Sequence, residues 1–527
     1  MVVSGSLSKG VEVKLDSDTS VEAIKAGTFV TIQGAQYRYF GLVTDVTLQA
    51  LDQRMQMSPP DVSNPLIAQV MQGTGFFGVM SVRPEVTITG DATSMLEGPQ
   101  PAKSVPSHFS RVFTASEQDI GLVFGEEDEK HFHIGTPLDM ETKVCLDLEA
   151  FSQRSNGIFG KSGTGKSFLT RLILMGLMQS GVASTLVFDM HGEYGWEARD
   201  PERGRTVKGL KQLFPSKVAV FSLDEENARR RNLSPDHIVR IGYNEIEAED
   251  IELLAGTLNL TAIQTQVVPL IARRFDRNWL RSFLDLDHAG LAELSKELNA
   301  HEGTLGALHR KLATLERMQF LTSSDSGGQE AMRRVLEYLD RGMHVVLEFG
   351  RYGSDITAYV LVANLLSRRI HNMYVRRTEE FMGQNGKMPQ PLVIVIEEAH
   401  RFLNPGIAEQ TIFGNIAREM RKYNVTLLVV DQRPSGIDDE VMSQIGTKIC
   451  CLLDNERDVD AVLNGVSGGR ELRHVLARLE SKQQALIFGH ALPLPLVVQT
   501  REYGSADSYA QLQGFGHQRD LAEELER

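Results

Sequence analysis

A chain of 527 residues is too long for one ordinary hydrophobic core, and 42% apolar with 24% charged residues excludes a disordered or fibrous protein. Lys+Arg total 55 against 69 Asp+Glu, and the resulting net charge of −14 argues against nucleic acid coating the outer surface. It leaves room for nucleic acid inside a narrow channel, where a few inward-facing basic groups set the local field. The longest apolar runs, Pro391–Ile396 and Val425–Val430, have the length of buried strands and fall short of the roughly 18 residues that span a bilayer. The first residues lack the charged and apolar regions of a secretory signal. Cys145, Cys450 and Cys451 form no disulfide framework and no zinc spacing, so a cytoplasmic protein without a structural metal is expected.

In chain order, residues 1–110 are expected to hold an N-terminal β-barrel and a linker. Gly27–Gly34 alternates apolar and polar residues, a second strand-like run covers Tyr37–Val46, and Pro99, Pro101 and Pro106 mark the linker. Residues 111–244 begin an α/β core, with short β-branched runs at Thr185–Asp189 and Lys217–Leu223. Over 245–341 that signal gives way to Leu253, Leu254, Leu258, Leu305, Leu308, Leu312 and Leu315 at helical spacing, which predicts a helical-bundle insertion. Residues 342–502 resume the core with runs at His344–Phe349, Leu392–Ile396, Thr426–Val430, Lys448–Leu453 and Ala485–Phe488. Residues 503–527 read as a polar C-terminal tail.

The chemistry sits within that core. Gly160, Lys161, Ser162, Gly163, Thr164, Gly165, Lys166 and Ser167 match the P-loop pattern GxxxxGK[ST] at every position, between a strand-like and a helix-like segment. Glycines let successive backbone N–H groups converge on phosphates, at a helix N-terminus whose dipole favours anions. Lys166 is expected to reach the β- and γ-phosphates of ATP, and the Ser167 hydroxyl to ligate Mg²⁺. The fold class that follows is α/β, a RecA-like P-loop ATPase core.

A buried-strand pattern from Pro391 ends in Glu397 and Glu398, the place for a metal-side acid and a catalytic base or water-positioner respectively. Gln432 ends the next strand and is the candidate sensor of the γ-phosphate. Asp189 closes the strand after the P-loop helix, where it or Glu193 can help orient Mg²⁺ or water; His191 has no metal spacing. Arg418 and Arg421, three apart on a helix, are expected to share one face and in a ring to reach a neighbour's nucleotide, with Arg154 as a second candidate. Val466–Arg470 imitates an ABC-type signature but follows the two acids instead of preceding them, so it reads as a loop. Arg229–Arg231 and the Arg273–Arg281 segment are basic groups open to phosphate contacts, although acids flank both.

The ordered set GKSGTGKS, FDMHGEY, VIEEAH, IAREMRKYN and DQRPS resembles the HerA family of hexameric DNA translocases, in the HerA–FtsK branch of P-loop ATPases. The resemblance covers nearly the whole chain and implies a ring of six subunits that encloses double-stranded DNA and moves along it by hydrolysing ATP. It implies a partner nuclease of the NurA kind in DNA end processing, or a nuclease or other effector in antiphage defence. Carried over residue by residue, Lys166, Ser167, Glu397 and Glu398 form the nucleotide and Mg²⁺ site, Gln432 is the sensor, and Arg418 or Arg421 acts between subunits. Glu397 stands where the commonest form of the motif has Asp, and is one methylene longer. The competing reading is an ATP-gated oligomeric scaffold that activates a nuclease or effector without translocating. An FtsK-type pump is disfavoured by the lack of a spanning segment.

Overall fold

The computed structural model describes residues 1–512 apart from 18, 53–56, 58–60, 62, 64–70, 72–74, 90–97, 139, 200–203, 205, 324–326, 385, 407, 409–410, 467–468 and 481–482. Part of the expected 97–108 linker, Ser467 and Gly468 of the signature-like loop, and most of the 503–527 tail therefore lie outside the described residues.

The strands that read as continuous apolar runs meet in one sheet. Its order is His237–Ile238, Val218–Ser222, His344–Glu348, Ser184–Asp189, Leu392–Glu397, Val425–Asp431, Ser155–Phe159, Ile445–Cys450, Gln484–Gly489, Leu496–Thr500, His131–Pro137 and Val144–Asp147. Strands are parallel from His237–Ile238 as far as Ile445–Cys450. Antiparallel pairs complete the far edge. Helices on both faces explain why Leu392–Glu397 and Val425–Asp431 are buried at every residue, and hence why neither alternates. The P-loop strand Ser155–Phe159 does not touch the strand of the two acids: Val425–Asp431 lies between them. Gln432 thus emerges between the phosphate loop and Glu397–Glu398.

The N-terminal strands form an antiparallel sheet rather than the expected barrel. The path runs Val2–Ser6, Gly10–Lys14, Phe76–Thr89, Tyr37–Ala50, Phe29–Gln33, Arg111–Thr114, and no ladder closes it among the described residues. Two backbone bonds link its outer strands, from the Val2 N–H to the Ser110 carbonyl and from the Phe109 N–H to the Val2 carbonyl. The long pair Tyr37–Ala50 and Phe76–Thr89 carries irregularities at Phe40/Gly41 and Val43/Asp45. Gly41 is needed there, because a Cβ would lie 2.0 Å from the Arg83 carbonyl oxygen.

Between Tyr243 and Asp340 the described chain is helical except for the two-residue strand Leu321–Thr322, which pairs with Ile241–Gly242. Leu305, Leu308, Leu312 and Leu315 face inward as their spacing predicts, and belong to the same hydrophobic cluster as the central strands. The last helix, Gly327–Asp340, returns to the main sheet: the Ser184 hydroxyl donates to the Leu339 carbonyl, and Tyr338 packs edge-on to Phe221.

Candidate active site

The P-loop leaves the strand Ser155–Phe159 and enters the helix Lys166–Ser180. Gly163 and Gly165 have φ of +79° and +92°, a region that favours glycine, and Gly165 is the N-cap of that helix. At Gly160 a Cβ would lie 2.7 Å from the Cys451 Cβ, so the loop can pass only without a side chain. Lys166 folds back over the loop, its Nζ donating to the Lys161 carbonyl at 2.9 Å. Burial lowers its pKa, against the opposing pull of Cys451, Glu398, Asp431 and Glu397. Lys161 itself points outward to Asp454 at 3.1 Å.

One cavity of about 520 Å³ joins these groups. It is lined by Ser162–Ser167 on one side and by Glu397, Glu398 and Gln432 on another. Phe168, Val207 and Tyr503 contribute apolar and aromatic surface to the same lining. Gln432 Nε2 donates to Glu398 Oε1 at 3.0 Å, which brings together the sensor and the base expected from sequence. Glu397 is buried, and Tyr194 donates its hydroxyl to Oε1 at 2.8 Å while Oε2 has no hydrogen-bond partner. Burial first, then the charges of Asp189 and Glu193, push its carboxyl up to about 8.

An unpartnered carboxylate oxygen in a cavity shared with the Ser167 hydroxyl suits a hard divalent cation that takes its remaining ligands from phosphates and water. No cluster of three or more His, Cys, Asp or Glu capable of holding a metal occurs among the described residues.

Asp189 occupies a different place from the one expected. It is fully buried, does not line the cavity, and spends both oxygens on the backbone N–H groups of Glu193 and Tyr194, at 2.9 and 2.8 Å. Its effect on the cavity runs through that turn, which delivers Tyr194 to Glu397 and places His191 and Glu193 in the lining. The Glu193 carbonyl is in turn held by Arg171, whose guanidinium lies among the rings of Phe168, Tyr194 and Tyr503.

The arginines separate into two groups. The helix Ile412–Glu419 ends before Arg421, which lies in the 3-10 turn Met420–Tyr423, and the two arginines have different neighbours. Arg418 donates to Asn415 Oδ1 at 3.4 Å and lies 3.7 Å from Glu440. Arg421 instead stands with Arg154 beside His490, whose ring is pushed down by burial and then by those two positive charges. Arg154 and Arg421 precede the parallel strands Ser155–Phe159 and Val425–Asp431, at the edge opposite the P-loop. They are therefore roughly a strand length, some 15 Å or more, from this chain's own phosphate loop. Gly446 makes room for Arg154: a Cβ there would lie 2.7 Å from Arg154 Cδ, and its carbonyl accepts from the His490 N–H at 2.9 Å.

Sequence reasoning missed Tyr194, His400, Asp431 and His490. Tyr194 and His400 stand inside motifs already singled out, but the partners that define their roles are 203 and 31 residues distant. The basic groups proposed for phosphate are largely engaged within the chain. Arg229 and Arg230 pair with Glu225 and Glu226, Arg274 with Glu297, and Arg281 with Asp285 and Glu316.

Comparison with known proteins agrees with the motif order. The family described as "Helicase HerA, central domain" matches residues 132–370. A "Probable DNA double-strand break repair helicase HerA" of Methanocaldococcus jannaschii is 33% identical, over 68% of this chain and 74% of that protein. The "DNA double-strand break repair helicase HerA" of Pyrococcus furiosus is 26% identical, over 74% of this chain and 72% of that protein. Among solved structures, VirB4 of Thermoanaerobacter pseudethanolicus aligns at 12% identity and a TM-score of 0.46, over 73% of this chain and all of that one.

Proposed function

Because the chain belongs to the HerA helicase family, we propose that this ATP-hydrolysing enzyme is a ring-forming translocase on double-stranded DNA that works with a nuclease. The observation that carries the reading is the single cavity in which the P-loop, Glu397, Glu398 and Gln432 face one another. The backbone of Gly163–Ser167 cradles the phosphates of ATP, and Lys166 holds the β- and γ-phosphates. With the γ-phosphate toward Glu398, the aromatic rings of Phe168 and Tyr503 in the same lining are candidates to meet the nucleoside. Ser167 and Glu397 hold Mg²⁺, which when bound neutralises charge on the phosphates. Glu398 orients the attacking water and takes its proton, and Gln432, already bonded to Glu398, reports the state of the γ-phosphate.

In a ring, a neighbouring subunit can complete the nucleotide site with an arginine. Arg154 and Arg421, on the edge opposite the P-loop, are the candidates we favour for serving the next subunit, Arg418 being engaged by Asn415 and Glu440. A closed ring, most simply six copies, satisfies this geometry at every interface. The proposed domain organisation keeps the boundaries at 110, 244, 341 and 502, with the N-terminal unit and the helical insertion mounted on the ATPase core. The partner nuclease is of the NurA kind, in DNA end processing or antiphage defence.

A second reading, the ATP-gated scaffold that licenses a nuclease without moving, draws support from the engagement of Arg229, Arg230, Arg274 and Arg281 by acids of the same chain. Turnover of the purified protein with linear duplex DNA and with candidate nuclease separates the two. A motor is stimulated by DNA, with a steep loss on adding salt; the scaffold is stimulated by the nuclease alone.

A further inference from the structure

Glu398 sits at φ +49° and ψ +43°, a left-handed conformation that a non-glycine residue holds only when its surroundings fix it. Those surroundings converge on Asp431, the buried last residue of the sensor strand. Its carboxylate accepts the backbone N–H of His400 at 2.7 Å and that of Arg433 at 2.6 Å. The His400 ring Nδ1 lies 3.0 and 3.1 Å from the two oxygens of the same carboxylate. The Asp431 carbonyl meanwhile accepts the N–H of Gly160, the first P-loop residue, at 3.3 Å. One side chain and its backbone thus tie together the phosphate loop, the acid-bearing turn and the sensor.

The carboxylate of Glu398 is held between two side chains that flank this hub. Oε1 receives Gln432 Nε2 at 3.0 Å, and Oε2 faces His400 Nδ1 at 3.7 Å. Gly436 packs against the root of this side chain, where a Cβ would lie 3.1 Å from the His400 Cβ. Two backbone N–H groups on Asp431 are enough to close the turn. The imidazole adds a directional contact beside Glu398.

We propose that His400, anchored by Asp431, is a positioning residue for Glu398. Opposite Gln432, its ring aims the carboxylate at the water beside the γ-phosphate. The proposal rests on Glu398 being the base, and it assigns the EEAH histidine to the hydrolysis step instead of to nucleotide binding or metal.

The test uses the full-length protein with linear duplex DNA, measuring kcat and KM for ATP and the affinity for a non-hydrolysable ATP analogue. His400→Ala is expected to lower kcat roughly 10- to 100-fold, as for a misaimed reacting group. KM and analogue affinity should stay within about twofold, and the melting temperature should remain close to that of the parent. His400→Asn, whose amide nitrogen replaces Nδ1, is expected to recover part of the loss. The double variant His400→Ala/Glu398→Gln should turn over no more slowly than Glu398→Gln alone, because the two act as one unit. Normal kcat in a folded His400→Ala protein, a loss carried by KM, or losses that multiply in the double variant each overturn the proposal while leaving the ATPase assignment standing. Normal turnover in Glu398→Gln would overturn the assignment of the base and this proposal with it.

Discussion

Glu398 carries the sharpest prediction for a single residue. Replacing it by Gln keeps shape and removes the base, so turnover is expected to fall about 10²–10⁴-fold while ATP still binds. A nucleotide-binding titration beside the turnover assay checks both halves. Lys166→Ala is expected to fail at the earlier step, losing binding as well as turnover. These residues were legible because each motif is contiguous: the P-loop pattern needs no knowledge of what packs on it. Tyr194, His400 and Asp431 were not, since each acquires its meaning from a contact between distant segments. Asp189 illustrates the converse. Its position at a strand end suggested a residue facing the site, whereas both its oxygens are committed to the turn at Glu193 and Tyr194. Tyr194→Phe tests that arrangement: losing the hydroxyl leaves both Glu397 oxygens without a donor, and a rise in the Mg²⁺ concentration for half-maximal turnover is expected.

At the scale of elements, the parallel strands were readable because burial on both faces makes them uniformly apolar. Phe76–Thr89 was not, since it contains Pro84 and a mixture of polar residues that mask a 14-residue strand. The same irregularity bears on the barrel: spacing predicts several short strands, whereas closure depends on how far the outer strands curl, which spacing does not encode. Two predictions belong here. Gly353 places the Gly350–Tyr352 turn against the strand end at Met190, and a Cβ would lie 1.9 Å from the Met190 carbonyl oxygen. Gly353→Ala is expected to cost about 1–3 kcal/mol through the backbone shift it forces, read as a lowered denaturation midpoint.

His344, which opens a central strand, is buried and bonded to the Thr185 hydroxyl at 3.0 Å; burial, then the Lys217 charge, pushes its ring down to about 3. The unfolded chain therefore takes up that proton first as pH falls. The contribution is complete above the ordinary histidine value of about 6.5 and is lost progressively toward pH 3, on the order of a few kcal/mol in all. Urea midpoints measured between about pH 7 and pH 5 should fall, and less steeply in His344→Asn.

For the whole molecule, the edge-to-edge separation of the P-loop from Arg154 and Arg421 is the feature that asks for an assembly. Mixing inactive Lys166→Ala subunits with inactive Arg421→Ala or Arg154→Ala subunits is expected to restore part of the turnover, because some interfaces then pair an intact P-loop with an intact arginine. No restoration with either arginine would remove the intersubunit role. The ATPase core and its family were legible from five short motifs in order. The proposed ring and partner rest on the resemblance alone, since assembly is a property of surfaces that one chain does not display. The most direct test of the central claim is the rate of ATP hydrolysis by the purified protein with and without linear duplex DNA, across a salt series. A DNA-driven motor predicts strong stimulation that fades steeply as salt rises. Steady turnover indifferent to DNA at every salt concentration would contradict it.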